Sequence, residues 1–519
     1  MMRITNAMMT SNTKNNININ KLNEDRLNTQ IATGQVISRP SEDPVVAIRA
    51  LRLNTNLSQL TQYYKKNIPD SEAWLNVTET ALRQTDAIFT NIKENLTTGA
   101  SDTNTPTDRQ KILESLKGLR SELYSSGNAD YAERTVFTGY RTGESLTFLE
   151  TDKDLGWNYK IHEKFDTKEL DKITYVSTYS KPTTPPVDET TVERKDIKRI
   201  RLSYDNLNEA NGSTKTLTWY DGATPMEQKV IVKSTTNPNL TQKQIDDLYT
   251  TLGDNDAILI PETGELLLGS KIADKIEAGG NKLGAQAAYF MDGYNKNSWK
   301  SDDLRPEHYF ACEQTTPTGP IYYNYELNTA TGKPDSTKPK FENQNIEVEI
   351  SFNQKITINT HANEVYTHDV GRDIDELIRV TQSVVDAEEN MGKLEKKLAA
   401  AATDSDRKNI QAELDAATKE FSLKKDKMQK MFSAALDTFE GYADRNNVAI
   451  ANIGSMQQRL TITKERVADQ LQSFKELADA NINAELTESS IDFASAKLAL
   501  EAAQMAAGKI AQQTLLNYL

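Results

Sequence analysis

A single cysteine, Cys312, stands in the whole chain, so no internal disulfide can staple the fold. Aromatic residues make up only 7% of 519 positions, and hydrophobic residues 37%. Mean hydropathy is -0.64. That is thin for a compact enzyme of this length, and it suits slender, exposed helices with narrow apolar seams. Positive charge is in deficit. A net charge of -14 disfavours nucleic acid as a partner, because phosphates need a basic face. No apolar run approaches the ~20 residues of a spanning helix, so membrane insertion is not expected. The opening "MMRITNAMMTSNTKNNININ" lacks the apolar core and small-residue cleavage site of a secretory leader. Any export is therefore expected to proceed without a cleaved signal peptide.

Catalytic chemistry is also scarce. There are four histidines, His162, His308, His361 and His368. "HEKFD" at 162–166 is half of a zinc-protease motif, but a helix needs a second imidazole one turn on, and position 166 is Asp. His361 and His368, with Asp369, could meet across a hairpin; exposed polar residues at a strand end account for them better. "AGGNKLG" lacks the spacing and the strand–helix context of a phosphate loop. Cys312 has no arguable histidine partner and reads as a structural, buried thiol. No enzyme activity, cofactor or metal site is expected.

Proline is missing altogether from residue 373 onward. What the chain does have there, and at its other end, is helical periodicity. Residues 12–28 carry many asparagines, poor helix formers, yet Ile19, Leu22, Leu27 and Ile31 keep helical spacing. Leu75, Thr78, Leu82, Thr85, Phe89, Ile92 and Leu96 alternate steps of three and four, a heptad seam. Ile112, Leu116, Leu119 and Leu123 predict one more helix. Residues 373–402 and 406–443 read as a charged helical pair, with Asp404 or Ser405 capping the second member. Leu460, Thr463, Val467, Leu471, Phe474 and Ala478 form another seam. Ile491, Ala494, Leu498, Ala502 and Met505 form a last one, before the chain reaches Leu515, Leu516 and Leu519.

Between the two helical ends the pattern shortens to alternating runs such as "NIEVEISF", "KTLTWYDG" and "QKVIVK". "AILIPETGELLLG" reads as a hairpin, and helices are expected near 242–251 and 270–291. "KPTTPPVDETT" (181–191) reads as a loop or spur. The fold class expected is α+β: a long helical bundle or coiled coil built from both chain ends, with an inserted, mostly antiparallel β domain. The expected parts are 1–40 and 481–519 as the innermost helical layer, 41–140 and 373–480 as the next, and 141–372 as the inserted domain. Each end carries too little apolar surface to offset the entropy of ordering it alone, so the two ends are expected to order on each other and on neighbouring copies.

One short stretch breaks the first helical run. In "IATGQVISRPSEDPVVAIRALRL" a glycine, Gly34, precedes two prolines four residues apart. Pro40 and Pro44 lack an N–H and push the residue before each toward an extended conformation. Asp43 is then a good N-cap, with Pro44 at the first helical position.

This stretch, with "MRIT", "NIPDSEAWLNVTETALRQTDAIFTNIKE", "RTVFTGYRTGESLTF", "YADRNNVAIANIGSMQQRLTITKERVADQLQSFKELADANINAEL" and "ALEAAQMAAGKIAQQTLLNYL", resembles the bacterial flagellin superfamily. Within it the Pro-Ser-Glu-Asp-Pro connector, the "FTGY" exit and the "LLNYL" tail resemble hook-associated proteins of the hook–filament junction more than filament flagellins. The match covers about 1–148 and 432–519. Pro69 departs from the family pattern. The resemblance implies an extracellular structural subunit of the flagellum that joins hook to filament by coupled folding and polymerisation of its ends. The partners it implies are copies of itself in a ring or tubular layer, an adjacent hook-associated protein, hook or filament subunits, and an export chaperone at the C-terminal helix. A filament flagellin, or a secreted enzyme or adhesin on the same frame, is the alternative.

Overall fold

The computed structural model describes residues 6–178, 192–221, 224–236, 240, 242–283, 288–290, 292–327, 334–340 and 344–516. The "MRIT" opening, the 181–191 loop and Leu519 lie outside these residues. The helices are α1 (Asn6–Thr33), α2 (Pro44–Gln62), α3 (Ile68–Gly99), α4 (Pro106–Ser126), α5 (Gln242–Thr250), α6 (Ser270–Leu283), α7 (Ala362–Val365), α8 (His368–Ala399), α9 (Asp404–Ile482) and α10 (Leu486–Leu516). The fold class is the expected one: long helices from both chain ends and an inserted, mostly antiparallel β domain.

The contacts divide the chain into two units. The first comprises Met1–Glu72, Glu347–Ile356 and Gln457–Leu519; the second comprises Ala73–Ile346 and Thr357–Met456.

In the first unit α1 packs along α10, and the loops ending them are tied together. Gly34 closes α1 at φ +68°, a left-handed cap that glycine takes without strain. Its N–H donates to Gln30 O at 2.8 Å, and its carbonyl accepts from Ala484 N–H at 2.9 Å. Val36 N–H donates to Ile482 O at 2.8 Å, so Gln35 and Asn483 form an isolated antiparallel bridge. The α1–α2 break and the α9–α10 break thus satisfy each other's backbone groups.

Pro69 explains a second local feature. A proline inside a helix cannot donate to the carbonyl four residues back, and its ring crowds that carbonyl. Here Tyr63–Asn67 widens into a π-turn, in which Ile68 N–H donates to Tyr63 O instead. Helix α3 then continues through the proline. Strand Glu347–Ser351 of the hairpin it forms with Gln354–Thr357 docks on this turn. Asn67 Nδ2 donates to Glu349 O at 2.7 Å, and Phe352 meets Tyr63 edge-on at 5.8 Å.

The second unit holds the 75–96 seam. All seven of its positions are fully buried. Phe89 packs against Phe439 and Tyr442 of α9, each 6.5 Å away centroid to centroid, and Asn446 Nδ2 donates to Leu82 O at 2.9 Å. Helix α4 opens with a reciprocal cap between Thr105 and Asp108 and buries Leu113 rather than Leu119.

The β domain centres on an eight-stranded sheet. Its order is Lys164–Phe165, Ala288–Phe290, Thr214–Asp221, Thr224–Val232, Ala257–Ile260, Glu265–Leu268, Arg194–Arg201 and Leu170–Val176. Only the Thr224–Val232/Ala257–Ile260 pairing among these is parallel. The hairpin expected in "AILIPETGELLLG" pairs Ile260 with Glu265. A four-stranded sheet, ordered Tyr294–Lys296, Asn158–His162, Ala311–Thr316 and Gly319–Tyr323, shares its core, where Phe148 stacks on Trp299 at 4.3 Å and Cys312 is buried. Helix α6 lies so close to Thr214–Asp221 that a Cβ on Gly279 would stand 1.5 Å from Tyr220 O. "AGGNKLG" begins inside this helix, and that close approach accounts for its first glycine, Gly279.

Charge ties the sheet to α8. The guanidinium of Arg199 is buried and meets Glu265, Glu376 (2.6 Å) and Asp171 (2.9 Å). Arg201 meets Asp373 at 2.7 Å and Glu376 at 3.0 Å. Each charge in this cluster is compensated, as burial requires.

Several local expectations need correction. The helices expected over 406–443 and 460–478 are one helix, α9, because nothing in 444–459 breaks the hydrogen-bond ladder. Its cap is Thr403, whose Oγ1 accepts from Asp406 N–H at 3.1 Å, and not Asp404 or Ser405, which already lie inside the first turn. Helix α6 ends at Leu283, short of 291, and Ala288–Phe290 is a strand.

Candidate assembly surface

The connector after α1 is built as the two prolines require. Glu42 N–H donates to Arg39 O at 3.0 Å, closing a turn beside Pro40, and Ser38 N–H donates to Glu42 Oε2 at 2.9 Å. The hydrogen bonds from the Ser38 N–H and hydroxyl hold the Glu42 carboxyl below its ordinary range. Asp43 caps α2, accepting from Val45 N–H at 2.9 Å and Val46 N–H at 3.1 Å, and Pro44 occupies the first helical turn.

The predicted seams fall into two kinds. Leu75, Leu82, Phe89, Ile92 and Leu96 are buried within the second unit. Leu460, Val467 and Leu471 are buried within the first, with Phe474 half-buried. The last seam faces the other way. Ile491, Leu498 and Met505 are 63%, 67% and 69% exposed, while Leu500 is 7% exposed. The expected stripe on α10 is present, and α1 packs against a different face of the helix. Leu515 and Leu516 fall in the last turn of α10; Leu519 lies outside the described residues.

The other helices of this unit repeat the arrangement. Val45, Ile48 and Leu51 stand three apart along α2 and are all exposed; so are Met8, Ile19 and Leu22 on α1, and Ile462 and Leu477 on α9. Scattered apolar side chains need no explanation, but lines of them along several helices of one unit are what protein–protein contacts use. Sequence periodicity marks such stripes without telling which of them the chain itself covers.

No described helix is long and apolar enough to cross a membrane. The candidate chemical motifs separate. His162 ends a strand, and Glu163 is buried, accepting from Ser203 and Tyr294. Asp166 caps a short 3-10 turn. His368 is not an exposed strand-end residue: it starts α8, buried among the rings of Tyr204, Tyr309 and Phe310. His361 contacts Asn345 Oδ1 at 2.9 Å. Burial pushes the imidazoles of His162 and His308 down, to about 4 and about 3, and raises the Cys312 thiol. A thiol held protonated is a poor nucleophile.

Residues 4–142 match the family described as the bacterial flagellin N-terminal helical region. The chain is 28% identical over 171 residues to flagellar hook-associated protein 3 of Salmonella typhimurium, covering 33% of this chain and 52% of that protein. It is 24% identical over 143 residues to a flagellin of Clostridium tyrobutyricum, covering 27% and 38%. The chain thus spans about half the length of the curated hook-associated relatives it matches. Among solved structures, a flagellar hook-associated protein of Vibrio parahaemolyticus aligns with 85% of this chain and 100% of its own, at 11% identity and a TM-score of 0.36. Residues 4–142 are therefore similar to the flagellin N-terminal helical region, and the chain is similar to flagellar hook-associated protein 3.

Proposed function

We propose that this chain is a structural subunit of the bacterial flagellum, placed extracellularly between hook and filament. The observation that carries the reading is the set of exposed apolar lines on α1, α2 and α10, in a chain whose first 142 residues include a flagellin-type region. Residues 1–40 and 481–519 would form the innermost layer of a ring or tube of copies, with 41–140 and 373–480 around it and 141–372 outermost. The stripe of Ile491, Leu498 and Met505 would be covered by a neighbouring subunit: another copy, an adjacent hook-associated protein, or a hook or filament subunit. Before assembly an export chaperone would cover the same helix. Burying these side chains supplies the drive, at roughly 25 cal/mol per Å² of apolar surface. The acidic net charge keeps the unassembled chain soluble. This is a structural role, with no reaction assigned.

The match to a flagellin supports a second reading, a subunit of the filament itself. Immunogold labelling of isolated flagella separates the two. A band confined to one junction is expected; staining along the shaft would place the chain in the filament.

A further inference from the structure

Two loops of the second unit, 144–148 and 303–308, are stitched together by their backbones. Arg305 N–H donates to Leu146 O at 3.0 Å and Phe148 N–H to Asp303 O at 2.9 Å, and Thr147 bridges Leu304. This stitching brings together three side chains far apart in sequence. A carboxylate oxygen of Glu144, one of Glu307 and a ring nitrogen of His308 all lie within 4.8 Å of one another.

Two features of this cluster point to a ligand. Glu307 is 2% exposed, yet its Oε2 has no hydrogen-bond partner, and the buried Oε2 of Glu144 also has none. Buried carboxylate oxygens without donors are costly. Arg305 stands 3.6 Å from the other oxygen of Glu307 but is held closer by Asp152, at 2.8 Å. Arg141 donates to the Glu307 backbone carbonyl. Neither guanidinium donates to the two Oε2 atoms. The second feature is the orientation of His308. Its Nε2 lies 3.2 Å from Ser145 O, so that nitrogen carries the proton and Nδ1 presents a lone pair. A histidine steadied by a carbonyl through one nitrogen, with the other left as donor, is the usual arrangement of a metal ligand.

We infer that Glu144, Glu307 and His308 form a binding site for a borderline divalent cation of the zinc class. One imidazole nitrogen and two carboxylate oxygens suit Zn²⁺, with water completing the shell. Bonds of about 2.0–2.2 Å set ligand atoms a little over 3 Å apart. The side chains close on the ion by rotation, and the partly exposed Glu144 has the most freedom. The bound ion would clamp the chain entering the β domain to its 303–308 loop.

The test uses the full chain, freed of metal by chelator dialysis and titrated with zinc chloride by calorimetry. One equivalent per chain and a rise in Tm are expected. Glu144→Gln, with an unchanged circular dichroism spectrum, is expected to weaken binding more than about tenfold, as removing a ligand should cost at least what a supporting residue does. Glu389→Gln, which alters an exposed carboxylate on α8 outside the cluster, should bind like the parent. Co²⁺ replaces zinc as a second readout, and a low-symmetry four-coordinate visible spectrum is expected from the parent chain even if Glu144→Gln misfolds. Absence of saturable binding, a Glu144→Gln affinity within twofold of the parent, or an octahedral Co²⁺ spectrum would overturn the inference.

Discussion

At the residue scale, two carboxylates show how environment sets their contribution. Asp43 is a cap on a partly exposed turn. Replacing it with alanine strands the N–H groups of Val45 and Val46 and should cost about 1 kcal/mol, read as faster amide exchange in the first turn of α2 with the second unit unaffected. Glu376 is buried between Arg199 and Arg201. Burial alone would raise its carboxyl, but the two guanidiniums prevail and hold it at about 2, against an ordinary 4.5. Its folded value is depressed, so its contribution to stability is complete above pH 4.5 and is lost as pH falls from there toward 2. At 1.36 kcal/mol per unit the change is about 3 kcal/mol. Chemical denaturation of the parent and of Glu376→Gln should therefore show a stability difference that is constant near pH 6 and shrinks by that order between pH 4.5 and 2. A difference independent of pH would mean the ionised carboxylate is not what the arginines bind.

At the scale of elements, α3 is the most strongly determined helix. Phe89 lies at the centre of its seam, against Phe439 and Tyr442, so Phe89→Ala leaves a cavity and should cost about 3–5 kcal/mol. A thermal melt showing a clear fall in the second unit's transition would check this. The seam was legible because seven positions of one helix meet one packed surface, and burial follows spacing directly. The 491–505 stripe has the same spacing but the opposite fate, since nothing in a periodicity says whether the covering surface belongs to the same chain. The hairpin at 257–268 was legible as two short apolar runs on either side of a polar turn around Glu262–Glu265. The continuity of α9 was not, because a change of seam face along a 79-residue helix looks like a boundary in the sequence. The π-turn before Pro69 and the bridge between Gln35 and Asn483 also escaped the sequence. The first is a choice of hydrogen-bond register, and the second joins positions more than four hundred residues apart. The cluster of Glu144, Glu307 and His308 was hidden for that second reason.

For the whole molecule, folding and assembly can be separated at α10. Its face toward α1 includes the buried Leu500, while Ile491, Leu498 and Met505 are exposed and make no contribution to burial within the chain. Changing those three to glutamate leaves the buried face intact and should shift Tm little, since exposed substitutions usually change stability by less than about 0.5 kcal/mol each. In an assembly the same changes would place three uncompensated charges in an apolar contact, a heavy cost at every interface. The triple variant is therefore expected to be produced and folded, with unchanged circular dichroism, and to be absent from isolated flagella. Removing residues 491–519 cannot make this distinction, because it also deprives α1 of its partner. If the triple variant enters flagella as the parent does, the exposed line of α10 is not the assembly contact, and the lines on α1 and α2 become the remaining candidates.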